Sequence, residues 1–123
     1  MIDASVLMIA GRLIFGGFFL IAAFRNFLNF GERIQMATNY GWPMPAPLVA
    51  VGFAMQLVGG LSLLFNIWTI AGALVLIAFL IVATPLYHNL FMFKGKERDP
   101  HLYLTLVNIT LAGGLLMVIA NAP

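Results

Sequence analysis

The chain has 123 residues, of which 63% are hydrophobic and 8% are charged, and its formal net charge is +2. Soluble domains are about 45–50% apolar and about 25% charged, so this composition excludes a soluble domain and predicts an integral membrane protein. The small, dispersed charge gives no basis for nucleic-acid binding. The lack of cysteine excludes thiol chemistry, iron–sulfur clusters and Cys-ligated zinc within the chain.

Four apolar segments are each long enough to cross a bilayer, which takes about 20 helical residues. We predict spans at residues 4–24, 46–65, 68–86 and 102–120. No alternation of polar and apolar residues marks barrel strands, and lipid requires that backbone groups bond internally, so the spans are predicted to be helices. The expected fold is all-α, an integral membrane four-helix bundle that forms one domain over residues 1–123.

The first span contains the one charged residue in any of these segments, Arg12. A lone guanidinium in hydrocarbon costs at least about 2.5–3.5 kcal/mol on insertion scales, so a partner is expected. The candidates are neutral amides of this chain, a lipid head group, a bound ligand, or a carboxylate on another subunit.

The three connections between the spans differ in length and charge. The first, residues 25–45, is partly amphipathic over residues 30–40 and predicts a short interfacial helix, ended by the proline-rich segment 41–45. The second is a tight turn at Asn66 and Ile67. The third, residues 88–101, is a mixed-charge loop, for which a topology role is favoured and weak attraction to anionic lipid is the alternative.

Loop charges predict the orientation of the chain. The first and third connections lie on one side and hold five of the six basic residues: Arg25, Arg33, Lys94, Lys96 and Arg98. The positive-inside rule places these connections in the cytoplasm and both termini outside. The expected location is a bacterial inner membrane.

Three polar residues form a candidate ligand- or partner-binding layer: Arg12, Gln56 and Asn108. Counted from the predicted span ends, all three fall within about 5 Å of the midplane at 1.5 Å per residue. A functional interpretation is a site for a quinone carbonyl, an anionic group or a partner's carboxylate. The alternatives are a self-satisfied structural network, or Arg12 extending toward the outer face.

Further candidates lie at the predicted cytoplasmic interface, where Arg25 closes the first span and His88 and Asn89 close the third. His88 has the chemistry to bind a ligand, relay a proton or ligate a metal. The second histidine, His101, lies across the basic loop and no carboxylate has ligand spacing, so no metal site is predicted. An interfacial histidine bonded to backbone or lipid phosphate is favoured. No catalytic set can be assembled from the chain.

A weak internal repeat relates the two halves of the chain. Residues 57–61 in the second span resemble residues 111–115 in the fourth, and residues 24–26 resemble residues 87–89. One interpretation is a pair of parallel-related helical hairpins. The other is coincidence in a chain rich in glycine and leucine.

The chain resembles the DoxX family of small four-span membrane proteins over almost its whole length. The resemblance lies in the order and spacing of several short segments: 11–13, 24–25, 40–45, 56–60, 83–91 and 108–115. It implies a four-helix membrane bundle. It also implies a role like that of relatives, which include membrane subunits of quinone-linked oxidoreductases and accessory members of redox or detoxification complexes.

Two departures from the family pattern weigh against catalysis. Gln56 stands where an acidic residue is common in the family, and Val107 stands where a lysine is common. We therefore expect a non-catalytic accessory subunit of a larger membrane complex, redox or quinone-linked, whose partners are the bilayer and other membrane subunits. The alternative is a quinone- or lipid-binding subunit with a direct redox role, and a transporter ranks third because one thin polar layer makes no path.

Overall fold

The structure is a computed structural model that describes residues 3–38, 41–88 and 94–122. Four of its helices are long and apolar enough to cross a membrane, which confirms the predicted all-helical four-span bundle. The helices, in chain order, are α1 Ala4–Leu28, α2 Phe30–Arg33, α3 Ala46–Phe65, α4 Thr69–Tyr87 and α5 Arg98–Asn121, with a 3-10 turn at Gly95–Glu97 before α5.

Two helices extend beyond the predicted spans, because polar residues end an apolar segment without ending a helix. α1 continues through Arg25 and Asn26 to Leu28, where the Asn29 side chain donates a 2.8 Å hydrogen bond to the Arg25 carbonyl. α5 begins at Arg98, four residues before the predicted span. The helix boundaries therefore follow capping groups rather than hydropathy.

The interfacial helix predicted in the first connection is much shorter in the structure. α2 covers only Phe30–Arg33. The chain then turns, with the backbone N–H and the hydroxyl of Thr38 both donating to the Trp42 carbonyl at 2.8 Å. Gly41 has a φ of +87°, a conformation that glycine adopts without steric cost. Tyr40, the last residue of the predicted helix, lies outside the described residues.

α1 and α3 pack backbone against backbone at two glycines. A Cβ added to Gly16 would lie 2.8 Å from the Gly60 carbonyl oxygen, and one added to Gly60 would lie 3.0 Å from the Gly16 carbonyl oxygen. Small residues at a crossing allow membrane helices to gain close van der Waals contact. This crossing fixes α1 on α3 and so positions the polar residues that follow it.

The remaining interior is a small apolar core built from four helices. Its largest fully buried side chains are Phe19 on α1, Leu63 on α3, Leu76 on α4 and Leu115 on α5. Few residues are buried because the outer faces of spanning helices are covered by lipid rather than by protein. The core therefore occupies the centre of the bundle and leaves room toward the end that contains the charged connections.

The two ends of the bundle have different character. We call the end at Asn66–Trp68 the turn end: Asn66 and Trp68 both have left-handed backbone conformations, and the Ser62 hydroxyl donates to the carbonyls of Ile67 and Trp68. We call the opposite end, which holds α2 and the 3-10 turn, the charged end. A cavity lies in the half of the bundle nearest the charged end.

Candidate functional site

A cavity of about 570 Å³ lies between the helices in the charged-end half of the bundle. This volume is within the range of about 300–1,000 Å³ typical of small-molecule sites. Most of its lining is apolar and comes from α1, α3, α4, α5 and the first connection. Side chains with polar atoms line it at a few positions: Asn26, Arg33, Gln56, Tyr87, His88 and Asn108. An apolar cavity with few polar groups suits an amphipathic ligand.

Three of these polar residues form one hydrogen-bonded chain. Arg33 Nε donates to Asn26 Oδ1 at 3.1 Å, and Asn26 Nδ2 donates to Gln56 Oε1 at 2.9 Å. The chain joins α2, α1 and α3. Gln56 is buried, with 7% of its surface exposed, so this network places a polar group deep in the apolar wall.

Asn108 approaches the cavity from α5. Its Nδ2 donates to the Thr84 hydroxyl on α4 at 3.0 Å. Thr84 lies three residues before Tyr87, the last residue of α4. Asn108 therefore lies near the charged end of the bundle and faces the same cavity as Gln56.

Arg12 lies at the other end of the bundle and does not line the cavity. Its Nη1 donates to the Leu63 carbonyl at 3.2 Å, near the end of α3 at Phe65. The carbonyl end of a helix carries partial negative charge, so it stabilises a nearby cation. The partner of the Arg12 guanidinium is thus a main-chain group of this chain.

The expected common layer of Arg12, Gln56 and Asn108 is therefore not formed. Leu63 and Gln56 are seven residues apart on α3, about 10 Å along the axis. α3 has 20 residues, about 30 Å, which matches the hydrocarbon thickness. Arg12 lies beside the final turn of this helix, whereas Gln56 lies two turns earlier, so the two side chains are not level with each other.

The three candidates at the predicted cytoplasmic interface, His88, Asn89 and Arg25, do not form one site either. His88 is the C-cap residue that follows α4 and it lines the cavity. Its Nδ1 lies 3.0 Å from Nδ1 of His101 in the first turn of α5. The Thr105 hydroxyl contacts the carbonyls of both histidines at 3.1 and 2.7 Å. Arg25 is exposed and lines no part of the cavity. Asn89 lies outside the described residues.

Burial lowers the pKa of His88, and the nearby His101 lowers this pKa further. Desolvation disfavours the imidazolium, and a second cation beside it would add repulsion. When both rings are neutral, a hydrogen bond between the two Nδ1 atoms requires one ring to donate its Nδ1–H and the other to accept it. Among the described residues, no group of three or more histidine and acidic side chains that could hold a metal ion is found.

Sequence reasoning missed Asn26 and Arg33. They are seven residues apart, which places them on one face if the helical path of α1 and α2 is nearly continuous. That spacing was a usable signal. Their link to Gln56, thirty residues from Asn26, arises only when α1 packs on α3.

The helices and the cavity define a polytopic helical membrane protein with a small-molecule-sized site inside one half of the bundle. The family model DoxX matches residues 7–89, which is more than half of the chain. The chain therefore belongs to the DoxX family. No curated protein and no solved structure matches it.

Proposed function

We propose that this chain is an accessory membrane subunit that binds a lipid-soluble amphipathic molecule, with a quinone as the leading candidate, in the charged-end cavity. The observation that carries the proposal is the 570 Å³ cavity with an apolar lining and a buried amide, Gln56, on its wall. A quinone head needs hydrogen-bonding groups and its tail needs apolar surface, and this cavity offers both.

The binding role also fits what the chain lacks. It has no cysteine and so cannot hold an iron–sulfur cluster through its own thiolates. Electrons exchanged with a bound quinone would have to come from another redox protein. The proposal therefore includes a redox partner, consistent with the accessory role that the family resemblance implies.

The cavity-filling variant Ala83→Trp tests the binding role. Ala83 lines the cavity, whereas Ala71 on the same helix is exposed and lies outside the lining. In nanodiscs, a radiolabelled short-tail quinone should bind the wild-type protein and Ala71→Trp saturably, and bind Ala83→Trp at least about tenfold more weakly. Binding that is non-saturable, or equal in both variants, contradicts the proposal.

A purely structural accessory role is the second candidate. Gly11, Gly17 and Gly113 have open space beside their Cα atoms, with no heavy atom within 4 Å of an added Cβ. Small residues facing outward allow another membrane helix to approach closely. Purification from the native membrane in mild detergent tests this role, since a monomer without stable partners argues against it. A stable complex that binds no quinone favours it over the binding role.

We propose further that the charged end faces the cytoplasm and that both termini lie outside. The proposal rests on the basic residues of the first and third connections. Because the chain has no native cysteine, single-cysteine variants at Asn66 and Lys96 are clean reporters. An impermeant thiol reagent applied outside the bacterial inner membrane should label Asn66→Cys and spare Lys96→Cys. The reverse pattern contradicts this orientation.

A further inference from the structure

The hydrogen-bonded chain of Arg33, Asn26 and Gln56 has a fixed direction. A guanidinium has donors and no acceptor, so the Asn26 atom that contacts Arg33 Nε must be the amide oxygen, Oδ1. Asn26 then has only its Nδ2 donor to offer Gln56, which must respond with its oxygen, Oε1. The cation at the charged end thus sets the orientation of both amides.

The consequence is a free donor on Gln56. Its oxygen is bound to Asn26, and in the described part of the structure the Gln56 nitrogen, Nε2, has no hydrogen-bond partner. Every inaccessible side-chain nitrogen or oxygen among the described residues has a partner, so Nε2 must reach open space. Gln56 is 7% exposed and lines the cavity. The open space that Nε2 reaches is therefore the cavity.

Arg33 adds further hydrogen-bond donors to the lining of the cavity. It lines the cavity, it is half-buried, and only its Nε is occupied by Asn26. No acidic side chain among the described residues pairs with it. The orientation of the Asn108 amide on the opposite wall is not fixed in this way, because Asn108 contacts a hydroxyl, which can both donate and accept.

We propose that the Arg33–Asn26–Gln56 chain makes this wall of the cavity a hydrogen-bond donor site, so that the ligand is an amphipath whose head presents an oxygen acceptor. A quinone carbonyl and a long-chain carboxylate share this chemistry. A hydrocarbon head would leave the buried Gln56 N–H groups unpaired, which is unfavourable in an apolar cavity. This inference rests on the proposed binding role and specifies what the cavity recognises.

A panel of probes with the same decyl tail tests the inference in nanodiscs: decyl-benzoquinone, decanoate and decylbenzene. The wild-type protein should bind one or both acceptor-headed probes more tightly than decylbenzene. Whichever of the two acceptor-headed probes binds more tightly shows whether the cavity prefers a quinone carbonyl or a carboxylate. Equal affinity for decylbenzene would overturn the inference while leaving a binding role intact.

Gln56→Met tests the donor itself, because methionine has a similar length and no N–H. The preference for acceptor-headed probes over decylbenzene should fall about tenfold, the effect of one neutral hydrogen bond. Gln35→Leu is the control, since Gln35 is exposed and lies outside the cavity lining. Asn26→Leu, which frees the Gln56 amide to reverse, provides a second variant if Gln56→Met does not fold. A preference unchanged in the folded variants overturns the inference.

Infrared spectroscopy gives a readout that a structural defect would not mimic. A bound quinone carbonyl that accepts from Gln56 should vibrate at lower frequency than the same carbonyl in lipid, and this shift should vanish in Gln56→Met. An unshifted band in the wild-type protein with saturable binding contradicts the donor site alone. If none of the probes binds the wild-type protein saturably, both the binding role and the donor site are overturned.

Discussion

The hydrogen-bond partner of a polar side chain in this bundle can be a main-chain group, which a list of side chains in the sequence does not reveal. Arg12 was expected to need an amide, a lipid, a ligand or a foreign carboxylate. In the structure its guanidinium donates to the Leu63 carbonyl, a main-chain acceptor near the end of α3 that also accepts from the Asn66 backbone N–H. An inventory of side chains cannot reveal this partner, because it depends on where α1 crosses α3. A ligand or partner at the remaining Arg12 donors stays a prediction.

The His88–His101 pair predicts a pH-dependent stability. Burial, followed by the proximity of His101, lowers the pKa of His88 below its ordinary 6.5, so the unfolded chain binds a proton more readily than the folded one. The stabilisation is present above pH 6.5 and is lost as the pH falls through the lowered value. The thermal unfolding midpoint in detergent should therefore decline as the pH falls below 6.5.

The variant His101→Gln separates the two causes. It removes the second imidazole while leaving His88 largely desolvated. The decline in the unfolding midpoint below pH 6.5 should become smaller than in the wild-type protein. An identical pH profile for the two proteins would show that the histidine pair does not govern this dependence.

At the scale of elements, the contact between α1 and α3 organises the site. It brings Gly16 to Gly60 and, further along the same pair of helices, Asn26 to Gln56. The hydropathy of each span predicted that these helices exist, because bilayer thickness sets their length. Hydropathy could not predict which faces meet, and so Asn26 and Arg33 were missed. Of the expected helix over residues 30–40, the described part contains only α2, and Thr38 instead donates to the Trp42 carbonyl.

Neighbouring glycines on α1 provide a matched test of this contact. Gly16→Ala places a methyl group 2.8 Å from Gly60 and Leu64 backbone atoms, whereas Gly17→Ala meets nothing within 4 Å. Overpacking of this kind costs about 1–3 kcal/mol, so Gly16→Ala should unfold at lower denaturant concentration in mixed micelles.

Gly17→Ala should leave stability unchanged or raise it slightly, since alanine favours helix over glycine by about 1 kcal/mol. Equal stability of the two variants would mean that α1 does not lie on α3 as described. Their comparison holds composition and helix constant and changes only the neighbour that the methyl group meets.

Across the molecule, the helices pack closely around the centre of the bundle and enclose a cavity toward the charged end. Close glycine packing and the buried leucines hold the helices together around the centre. The cavity occupies the charged-end half, where the amide and guanidinium donors lie. The cavity therefore lies beside the packed centre of the bundle rather than within it. The cavity is the feature on which the proposed function depends.

Photo-crosslinking with an azido-quinone, followed by mass spectrometric mapping of the modified peptides, tests the cavity most directly. Covalent label should accumulate on cavity-lining residues such as Phe53, Gln56 and Ala83, and excess unlabelled quinone should prevent this. Label confined to lipid-facing residues such as Ile14 and Met117, which are 72% and 68% exposed, and insensitive to competitor, would contradict this prediction.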